Sequence, residues 1–353
     1  MARAHAAQER NGVGIARTIL VTGGLGYIGS HTCVVLAAAG CRLIVVDNLV
    51  NAKPQVLDRI RALAPDASIA FHQLDLRDRP ALERVMAADK PEAVVHFAGL
   101  KAVGESVERP LDYYDNNVGG SIALLQAMDR TGVRGIVFSS SATVYGDPER
   151  LPLTEDHPLR PTNPYGKTKL MIEHILADRA AAGGDFRYVA LRYFNPIGAH
   201  PSGTIGEDPR GIPNNLFPYI SQVAVGKQAA LRVWGNDYST PDGTGVRDYI
   251  HVMDLARGHL AALDALVASP SSLIVNLGTG RGYSVLEAVK AFERASGRAV
   301  PFKVLARRPG DIAACYADAT RAKKLLKWRA ELEIDAMCRD AWRWQSQNPD
   351  GYV

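Results

Sequence analysis

A tyrosine and a lysine four residues apart could carry proton chemistry in this chain. Tyr165 and Lys169 lie in residues 163–169, NPYGKTK. Residues with this spacing share one face of a helix. Free tyrosine has a pKa of about 10, too high for a base at neutral pH, and a nearby cation favours the phenolate. The pair therefore predicts a general base whose ionisation depends on Lys169.

A serine-rich segment precedes this pair, in residues 138–146, FSSSATVYG. A hydroxyl at the end of a strand can bond a substrate oxygen and relay a proton to Tyr165. We assign that role to Ser141. The alternative is that these hydroxyls only cap the strand end, and it stays open for Ser139.

A glycine motif near the start of the chain predicts a dinucleotide site. Gly23, Gly26 and Gly29 have the spacing G-x-x-G-x-x-G between a strand-like and a helix-like segment. Glycine lets the backbone approach a pyrophosphate, and a helix N-terminus attracts the anion. Asp47 ends the second predicted strand, where a carboxylate accepts bonds from a ribose 2′-hydroxyl and repels a 2′-phosphate. The pattern favours NAD over NADP, although plain turn residues are the alternative.

Two further strand ends have residues that suit this cofactor. Asp75 and Leu76 end the third predicted strand, where an adenine ring would lie. A loop acid without a ligand is an equally open interpretation of Asp75. Phe97, Ala98 and Gly99 end the fourth strand, and their small members permit close approach to the cofactor.

The elements that must position these residues alternate along the first half of the chain. Such alternation predicts a Rossmann-type doubly wound parallel sheet in an α/β protein. Frequent Gly and Pro after about residue 195 predict a smaller mixed α/β lobe that binds the substrate. We expect a flexible extension over 1–16, an NAD-binding domain over 17–195, and a mainly UDP-sugar-binding lobe over 196–353 with possible crossovers back. The predicted strands are 18–21, 42–46, 68–72, 93–96 and 135–138, and the predicted helices are 27–39, 80–88, 116–130, 252–266 and 285–295.

Composition argues against several other classes of protein. The 353 residues carry a net charge of only +4 without a long Lys/Arg run, which does not support nucleic-acid binding. The longest apolar runs are too short to span a membrane, and the first 17 residues lack the apolar core of a signal peptide. The four cysteines have neither disulfide nor metal spacing. These features predict a cytoplasmic protein without a metal site.

Longer stretches carry a resemblance to a known family. They are residues 21–24 (VTGG), 96–106 (HFAGLKAVGES), 113–117 (YYDNN), 192–196 (RYFNP) and 245–252 (GVRDYIHV). With them the chain resembles the nucleotide-sugar 4-epimerases of the extended short-chain dehydrogenase/reductase family, from about residue 17 to the C-terminus. The resemblance implies interconversion of UDP-galactose and UDP-glucose through a transient 4-keto sugar, with tightly bound NAD. It also implies a homodimer that pairs helices near residues 112–130 and 163–182.

The resemblance also assigns residues to the two ligands. The implied catalytic residues are Tyr165, Lys169 and Ser141, with Tyr165 as base. The implied NAD residues are Gly23, Gly26, Tyr27, Ile28, Gly29, Asp47, Asn48, Leu49, Asn51, Ala52, Asp75, Leu76, Phe97, Ala98, Gly99, Lys101, Asn116, Ser139, Tyr165, Lys169 and Phe194. The implied UDP-sugar residues are Lys101, Ser141, Thr143, Tyr165, Tyr193, Asn195, Asn214, Asn215, Leu216, Trp234, Arg247, Arg308, Asp311 and Cys315.

One position bears on sugar choice. Many bacterial relatives carry tyrosine where this chain has Cys315, and the resemblance implies that this position limits the space beside the sugar C2 substituent. The smaller thiol suggests that UDP-N-acetylglucosamine and UDP-N-acetylgalactosamine are also substrates. A packing change without consequence is the alternative.

Other functions on the same fold remain as rivals. A dehydratase needs a carboxylate pair just after the active-site hydroxyl, but Ala142, Thr143 and Val144 follow Ser141. A decarboxylase, or an NAD-binding sensor without catalysis, is a further alternative, although a sensor has no need for the serine, tyrosine and lysine together. We interpret His31 and His251 as structural residues, because the tyrosine already supplies the base.

Overall fold

The computed structural model describes residues 17–209, 213, 215–269, 271–308 and 311–353. The predicted extension over residues 1–16 and the predicted substrate residue Asn214 lie outside these ranges. Within them, the strands are β1 Thr18–Thr22, β2 Arg42–Asp47, β3 Ile69–Gln73, β4 Ala93–His96, β5 Gly135–Ser141, β6 Arg187–Tyr193, β7 Asn195–Ile197, β8 Leu231–Trp234, β9 Val246–His251, β10 Leu273–Leu277, β11 Gly282–Ser284, β12 Phe302–Leu305 and β13 Ala314–Cys315.

Helices alternate with these strands through most of the chain. A π-helical turn, Tyr114–Gly119, connects the fifth and sixth α-helices, and a 3-10 turn, Ala142–Val144, follows β5. The α-helices of the described chain are α1 Tyr27–Ala38, α2 Gln55–Leu63, α3 Arg79–Asp89, α4 Val103–Glu108, α5 Pro110–Tyr113, α6 Gly120–Thr131, α7 Pro164–Ala181, α8 Leu216–Ala224, α9 Val252–Ala268, α10 Val285–Ser296, α11 Thr320–Leu325 and α12 Ile334–Gln347.

A seven-stranded parallel sheet forms the centre of the described chain. Its order is β10-β6-β5-β4-β1-β2-β3. The central strands are continuous apolar runs, as expected for a parallel sheet that is covered on both faces. One face packs with α1, α2 and α9, and the other with α3, α6 and α7. The predicted Rossmann-type doubly wound sheet is therefore confirmed.

The strand order reverses between β1 and β4, and this reversal locates the ligand crevice. In open α/β sheets, ligands bind outside the carboxyl ends of the strands at such a switch point. The glycine segment after β1 and residues 97–101 after β4 meet there. A Cβ atom on Gly23, whose φ is +65°, would lie 2.6 Å from the backbone nitrogen of Ala98. Only glycine fits this approach of two strand ends.

The second half of the chain contributes to both parts of the molecule. Strands β9, β11 and β13 form a small sheet that also pairs with β7, and β8 pairs with β12. Their apolar core includes side chains of α8, α10 and α12. Strand β10, however, lies beside β6 in the large sheet, with Leu273 opposite Val189. The division at residue 195 stays a prediction.

Local signals explain where the helices begin and end. Helix α7 begins after Asn163, whose side chain accepts a hydrogen bond from Gly166 N at 2.9 Å, and Pro164 fills its first position. The predicted helix over 27–39 and strand over 68–72 match α1 and β3 within one residue. Where a helix is predicted over 116–130, the observed helical segment begins earlier, because α5 and the π-helical turn directly precede α6. No helix in the described ranges has the length and apolar character needed to cross a membrane.

Candidate active site

The glycine segment after β1 forms a concave backbone surface at the crevice. A Cβ on Gly29 would lie 2.3 Å from the Gly23 carbonyl oxygen, so this glycine allows α1 to pack on the loop. A Cβ on Gly26 would meet only that oxygen, at 3.3 Å. Gly26 is the N-cap of α1, and no side chain in the described ranges caps this helix. Its first N–H groups therefore suit a pyrophosphate.

Asp47 connects the end of β2 to the glycine loop. Its carboxylate accepts hydrogen bonds from Leu25 N at 3.1 Å and Leu49 N at 2.9 Å. Burial raises the pKa of Asp47, and these two bonds oppose the rise. Each oxygen has a further lone pair for a ribose hydroxyl. Leu49, Asn51 and Ala52 follow in the loop after β2, and Leu49 has a φ of +61°.

The predicted adenine side contains a chain of polar contacts. Asn48 Nδ2 donates to Asp75 Oδ2 at 3.0 Å, and Arg77 pairs with both Asp75 and Asp115. The Arg77 guanidinium is the main cause that holds the Asp75 pKa well below its usual range. Leu76 is buried beside this cluster. The structure thus brings Asn48 and Asp75 together, as a cofactor site requires.

Helix α7 directs Tyr165 and Lys169 toward the end of β5. Lys169 is 5% exposed, and its ammonium lies 5.9 Å from the centre of the Tyr165 ring. It donates a 2.7 Å hydrogen bond to the Ser139 carbonyl oxygen. Ser141 Oγ accepts hydrogen bonds from Thr143 N at 3.2 Å and Thr143 Oγ1 at 2.9 Å. The serine proton therefore remains available for the phenol oxygen.

Burial and charge set the ionisation of these groups in opposite directions. Burial raises the Tyr165 pKa, whereas a Ser141 hydrogen bond and the charge of Lys101 lower it. Burial lowers the Lys169 pKa to about 8, and the negative charge of Glu173 opposes this shift. Proton loss from Tyr165 is therefore opposed by burial and assisted by the Ser141 hydroxyl and the Lys101 charge.

Residues 97–101 form one wall of the crevice beside α7. Phe97, Ala98 and Gly99 are half-buried. Asn117 holds this segment by bonding Leu100 at both its N–H, at 2.7 Å, and its carbonyl oxygen, at 3.0 Å. Asn117 Nδ2 also donates to Thr168 Oγ1 at 3.1 Å, which connects the wall to α7. Sequence reasoning chose the neighbouring Asn116, which is half-buried in the π-helical turn, and missed Asn117.

Lys101 has a partner that the sequence did not predict. Its ammonium lies 3.0 Å from Glu207 Oε1, and Asn215 Nδ2 lies 3.2 Å from the same oxygen. The charge of Glu207 is the main cause that raises the Lys101 pKa. One carboxylate thus gathers two predicted site residues from opposite sides of the crevice. No local pattern marks Glu207, because its partner is 106 residues away.

Tyr193 and Phe194 are buried at the end of β6. The Tyr193 hydroxyl bonds His259 Nε2, while His259 Nδ1 lies 2.8 Å from the Leu255 carbonyl oxygen. This pairing makes Nε2 the acceptor and commits the tyrosine proton to the imidazole. Burial raises the Tyr193 pKa well above its usual value. Asn195 begins β7 and is exposed.

Among the predicted substrate residues of the second lobe, Arg308 is exposed, and Trp234 and Arg247 are half-buried. Arg308 pairs with Asp311 at 2.9 Å, and its guanidinium lies 5.7 Å from the centre of the Trp234 ring. Arg247 Nη1 donates to the Val246 carbonyl oxygen at 2.9 Å. Leu216 begins α8 directly after Asn215. Guanidinium groups in such positions can grip a diphosphate in bidentate fashion.

Cys315 is 8% exposed on β13, directly opposite Arg247 of β9. It belongs to a buried apolar cluster with Val144 and Phe194. Burial raises the pKa of its thiol to about 11. The thiol is therefore a neutral apolar wall group near the end of β5, not a nucleophile.

The two histidines interpreted as structural are fully buried, His31 within α1 and His251 at the end of β9. His251 accepts at Nδ1 from Met253 N, and its Nε2 lies 3.2 Å from Asp340 Oδ2. His31 Nδ1 lies 2.7 Å from the Tyr27 carbonyl oxygen, and burial lowers the His31 pKa to about 3. Neither contacts Tyr165 or Lys169 through a hydrogen bond found in the described ranges.

The fold and the crevice together define a dinucleotide-dependent enzyme. Residues 19–278 match the profile of the NAD dependent epimerase/dehydratase family. The chain is 58% identical over 334 residues to a UDP-glucose 4-epimerase of Bacillus subtilis (strain 168), with 95% of this chain and 98% of the relative covered. This chain belongs to the NAD dependent epimerase/dehydratase family.

Solved structures agree with this assignment. A Stenotrophomonas maltophila UDP-glucose-4-epimerase with bound NAD and formylated UDP-arabinopyranose superposes with a TM-score of 0.92 at 50% identity, covering 94% of this chain and 99% of that one. A Bifidobacterium longum UDP-glucose 4-epimerase in complex with NAD+ and UDP gives a TM-score of 0.91 at 52% identity, covering 95% and 99%.

Proposed function

We propose that this protein interconverts UDP-galactose and UDP-glucose at the sugar C4 with tightly bound NAD. The observation that carries the proposal is that Tyr165 and Lys169 of α7 lie against Ser141 at the carboxyl end of β5, the same edge of the sheet from which the glycine loop of β1 emerges. A proton acceptor and a dinucleotide cradle thus share one crevice. Inversion of an unactivated carbinol carbon needs transient oxidation, and NAD supplies the hydride acceptor when it is bound.

The protein groups divide the proton work between them. Tyr165 takes the proton of the sugar 4-hydroxyl as its carbon is oxidised and returns it when the 4-keto sugar is reduced on its other face. Ser141 donates a hydrogen bond to the same oxygens and shortens the proton path. Lys169 holds a positive charge near the phenol and favours the phenolate. Only the sugar must rotate between the two steps.

The second lobe holds the nucleotide so that the sugar can turn. Arg308 and Arg247 face the diphosphate, and Trp234 offers an aromatic surface next to Arg308. If the protein holds the substrate by its phosphates and uridine, the hexose stays free to rotate. The 4-keto sugar can then present either face of C4 to one cofactor. The division into an NAD part over residues 17–195 and a UDP-sugar part mainly over 196–353 belongs to this proposal.

The decisive experiment uses the purified protein without added cofactor. UDP-galactose is supplied, and the products are separated by chromatography and identified by mass and sugar analysis. We expect UDP-glucose, formed until the two sugars reach equilibrium. A product that has lost water would indicate a dehydratase, and bound NAD without any product would indicate a sensor.

We further propose that Cys315 lets the enzyme act on the N-acetylated UDP-hexoses. A cysteine leaves room in the wall beside Phe194 and Val144 that a tyrosine ring would fill. The test compares wild type with Cys315→Tyr on both substrate pairs. We expect the variant to lose activity on the acetylated pair and to keep it on the plain pair. Wild-type enzyme inactive on the acetylated pair would contradict this proposal alone.

A homodimer is also proposed, through the helices of residues 112–130 and 163–182. Exposed apolar side chains gather on α4 to α7, the face that this pairing would cover: Val107 is 62% exposed and Leu111 79%. Ile122 and Met171 continue the patch. A Leu111→Glu variant should sediment as a monomer, and Val267→Glu, which changes an exposed residue on α9, should not change the oligomeric state. Monomeric wild type would refute the pairing.

A cytoplasmic location completes the proposal. Its support is that Cys33, Cys41, Cys315 and Cys338 are all free and buried, as in proteins of reducing compartments. Fractionation of cells that produce the protein tests this location. Recovery outside the cytoplasmic fraction would contradict it.

A further inference from the structure

Three residues of α7, each four positions from the next, face three consecutive serines of β5. Lys169 bonds the carbonyl oxygen of Ser139, and the Ser140 hydroxyl donates to Glu173 Oε1 at 2.5 Å. Tyr165 interacts with the Ser141 hydroxyl. The first and third contacts involve groups already placed in the reaction. The middle contact involves a carboxylate that the mechanism has not used.

Glu173 is held on its other side by a buried arginine. Arg192 of β6 donates from Nε to Oε1 at 3.0 Å and from Nη2 to Oε2 at 2.6 Å. The two side chains are 3% and 2% exposed. Arg192 also donates to the Tyr145 hydroxyl at 3.1 Å. Glu173 therefore lies in a fixed orientation one helical turn behind Lys169, where no water screens its charge.

We infer that Glu173 is a positioning residue for the reaction. Clamped by Ser140 and Arg192, its carboxylate fixes α7 against β5 and supplies the negative charge that keeps Lys169 an ammonium beside Tyr165. This inference rests on the proposed function, because it assigns Glu173 a role through two residues of that site. It concerns this buried carboxylate alone and needs no further ligand.

Burial makes such a charge necessary. A buried lysine tends to lose its proton, and burial is the larger cause that lowers the Lys169 pKa, with Glu173 acting against it. A neutral lysine would give the phenol no electrostatic help. Removal of the Glu173 charge is therefore expected to lower the Lys169 pKa further. As the pH rises, the variant should then lose activity at a lower pH than the wild type.

The other groups that face this pair do not titrate in the same range. Burial lowers the pKa of His96 on β4 to about 3, so this ring is neutral near pH 8. The pKa of Tyr113 on α5 is raised by burial and by Glu105. Lys101 and Arg192 carry raised pKa values and stay charged. Between about pH 6 and about pH 9, Lys169 is thus the one of these groups whose protonation changes.

The test is the pH profile of kcat for UDP-galactose, measured on the purified enzyme with its own cofactor. We expect Glu173→Gln to move the alkaline limb down by about one pH unit, which is an about tenfold change in the Lys169 protonation equilibrium. Glu173→Asp keeps the charge and should restore the wild-type limb, even if kcat falls. Ser140→Ala removes one hydrogen bond to Glu173 but leaves the Glu173 charge, so the alkaline limb of this variant should also lie where the wild-type limb lies.

A double variant covers the case in which Glu173→Gln does not fold. Loss of one partner leaves Arg192 as an uncompensated buried charge, whereas Glu173→Gln with Arg192→Gln leaves none. The double variant should also move the limb down, by no more than Glu173→Gln alone, because the Arg192 charge is removed as well. The inference would be overturned if the variants that carry Glu173→Gln lost activity equally at every pH, or if their alkaline limb coincided with that of the wild type. The proposed function would still stand in that case, because the wild-type enzyme is active. A wild-type enzyme without epimerase activity would instead contradict the proposed function itself.

Discussion

The two sides of the crevice hold their charges in different ways. On the β5–α7 side, Lys169, Glu173 and Arg192 are at most 5% exposed. In the second lobe, the side chains of Arg308 and Asp311 are 48% and 24% exposed. The first set is fixed by buried hydrogen bonds, and the second by one local ion pair that water screens.

This difference fits the roles proposed for the two sides. Proton transfer depends on the pKa of one phenol, which requires nearby charges in a medium of low dielectric constant. Binding a diphosphate needs cations that can leave their own partners and wrap around an anion. Buried pairs cost several kcal/mol when one partner is removed, whereas exposed pairs contribute about 0–1 kcal/mol. Substitutions on the two sides should therefore differ in size and in the kinetic constant that they change.

The largest effect is expected from Tyr165→Phe on the buried side. The variant keeps the ring but loses the proton acceptor, so kcat should fall by about 10³ to 10⁴, the upper part of the range of about 10² to 10⁴ that is usual for a general base. NAD measured after denaturation of the purified variant should remain at the wild-type level. Tyr219→Phe in α8, a tyrosine of the second-lobe core, is the matched control. Unchanged turnover in Tyr165→Phe would disprove the assignment of the base.

Lys169→Met should lower kcat by about 10², because the phenol loses its neighbouring cation. The same variant should also show, through the pH dependence of the free energy of unfolding, that the Lys169 amine is buried. The unfolded lysine has a pKa of about 10.4, and burial lowers the folded value to about 8. Between these two pKa values the unfolded chain binds one proton more than the folded chain. The free energy of unfolding of the wild type, relative to that of the variant, is therefore lowest near pH 8 and rises as the pH increases toward about 10.4.

The expected slope for this stability difference is about 1.4 kcal/mol per pH unit. It is measured as the free energy of unfolding in urea for both proteins at several pH values. Subtracting the variant cancels the titrations that the two chains share. A difference that stays flat above about pH 8 would show that Lys169 titrates normally in the fold, and would weaken the contrast between the two sides.

The buried side was easier to predict from the sequence where its contacts are local. Tyr165 and Lys169 are one helical turn apart, and the glycines before α1 are within seven residues, so short-range spacing was sufficient. The clamp on Glu173 depends on Arg192 of β6, and Asn117 depends on Leu100 and Thr168. Their partners come together only when β4, β5 and β6 pair in the sheet, and no periodicity in the sequence encodes that.

The sequence also did not predict helix α2 or which sheet the strand β10 joins. The short apolar run Leu273–Leu277 gives no local sign that it joins β6 instead of the small sheet. The parallel pairing of β10 with β6 accompanies the packing of α9 against α1 on one face of the large sheet. Alternation of strands and helices predicts the class of fold, but edge strands are assigned only by tertiary packing.

A tenfold effect is expected on the exposed side from Arg308→Lys. A lysine keeps the charge but loses the bidentate fork and its stacking near Trp234, so KM for UDP-galactose should rise about tenfold with kcat within about twofold. Arg329→Lys is the matched control, since Arg329 is 73% exposed and only 3.8 Å from Glu331. A fall in kcat with unchanged KM would place Arg308 among the groups that act on the chemical step.

The smallest effect should come from Glu207→Gln, at the point where the two sides meet. Glu207 is 12% exposed but its partner Lys101 is 59% exposed, so water screens their ion pair and its loss should change KM by at most about fivefold. We expect KM to rise, because Lys101 and Asn215 lose the carboxylate that orients both, while kcat stays within about twofold. Glu331→Gln provides a surface control. A lower KM in the variant would mean that Glu207 competes with the diphosphate for Lys101, and the crevice would then have to release this ion pair before it could bind its substrate.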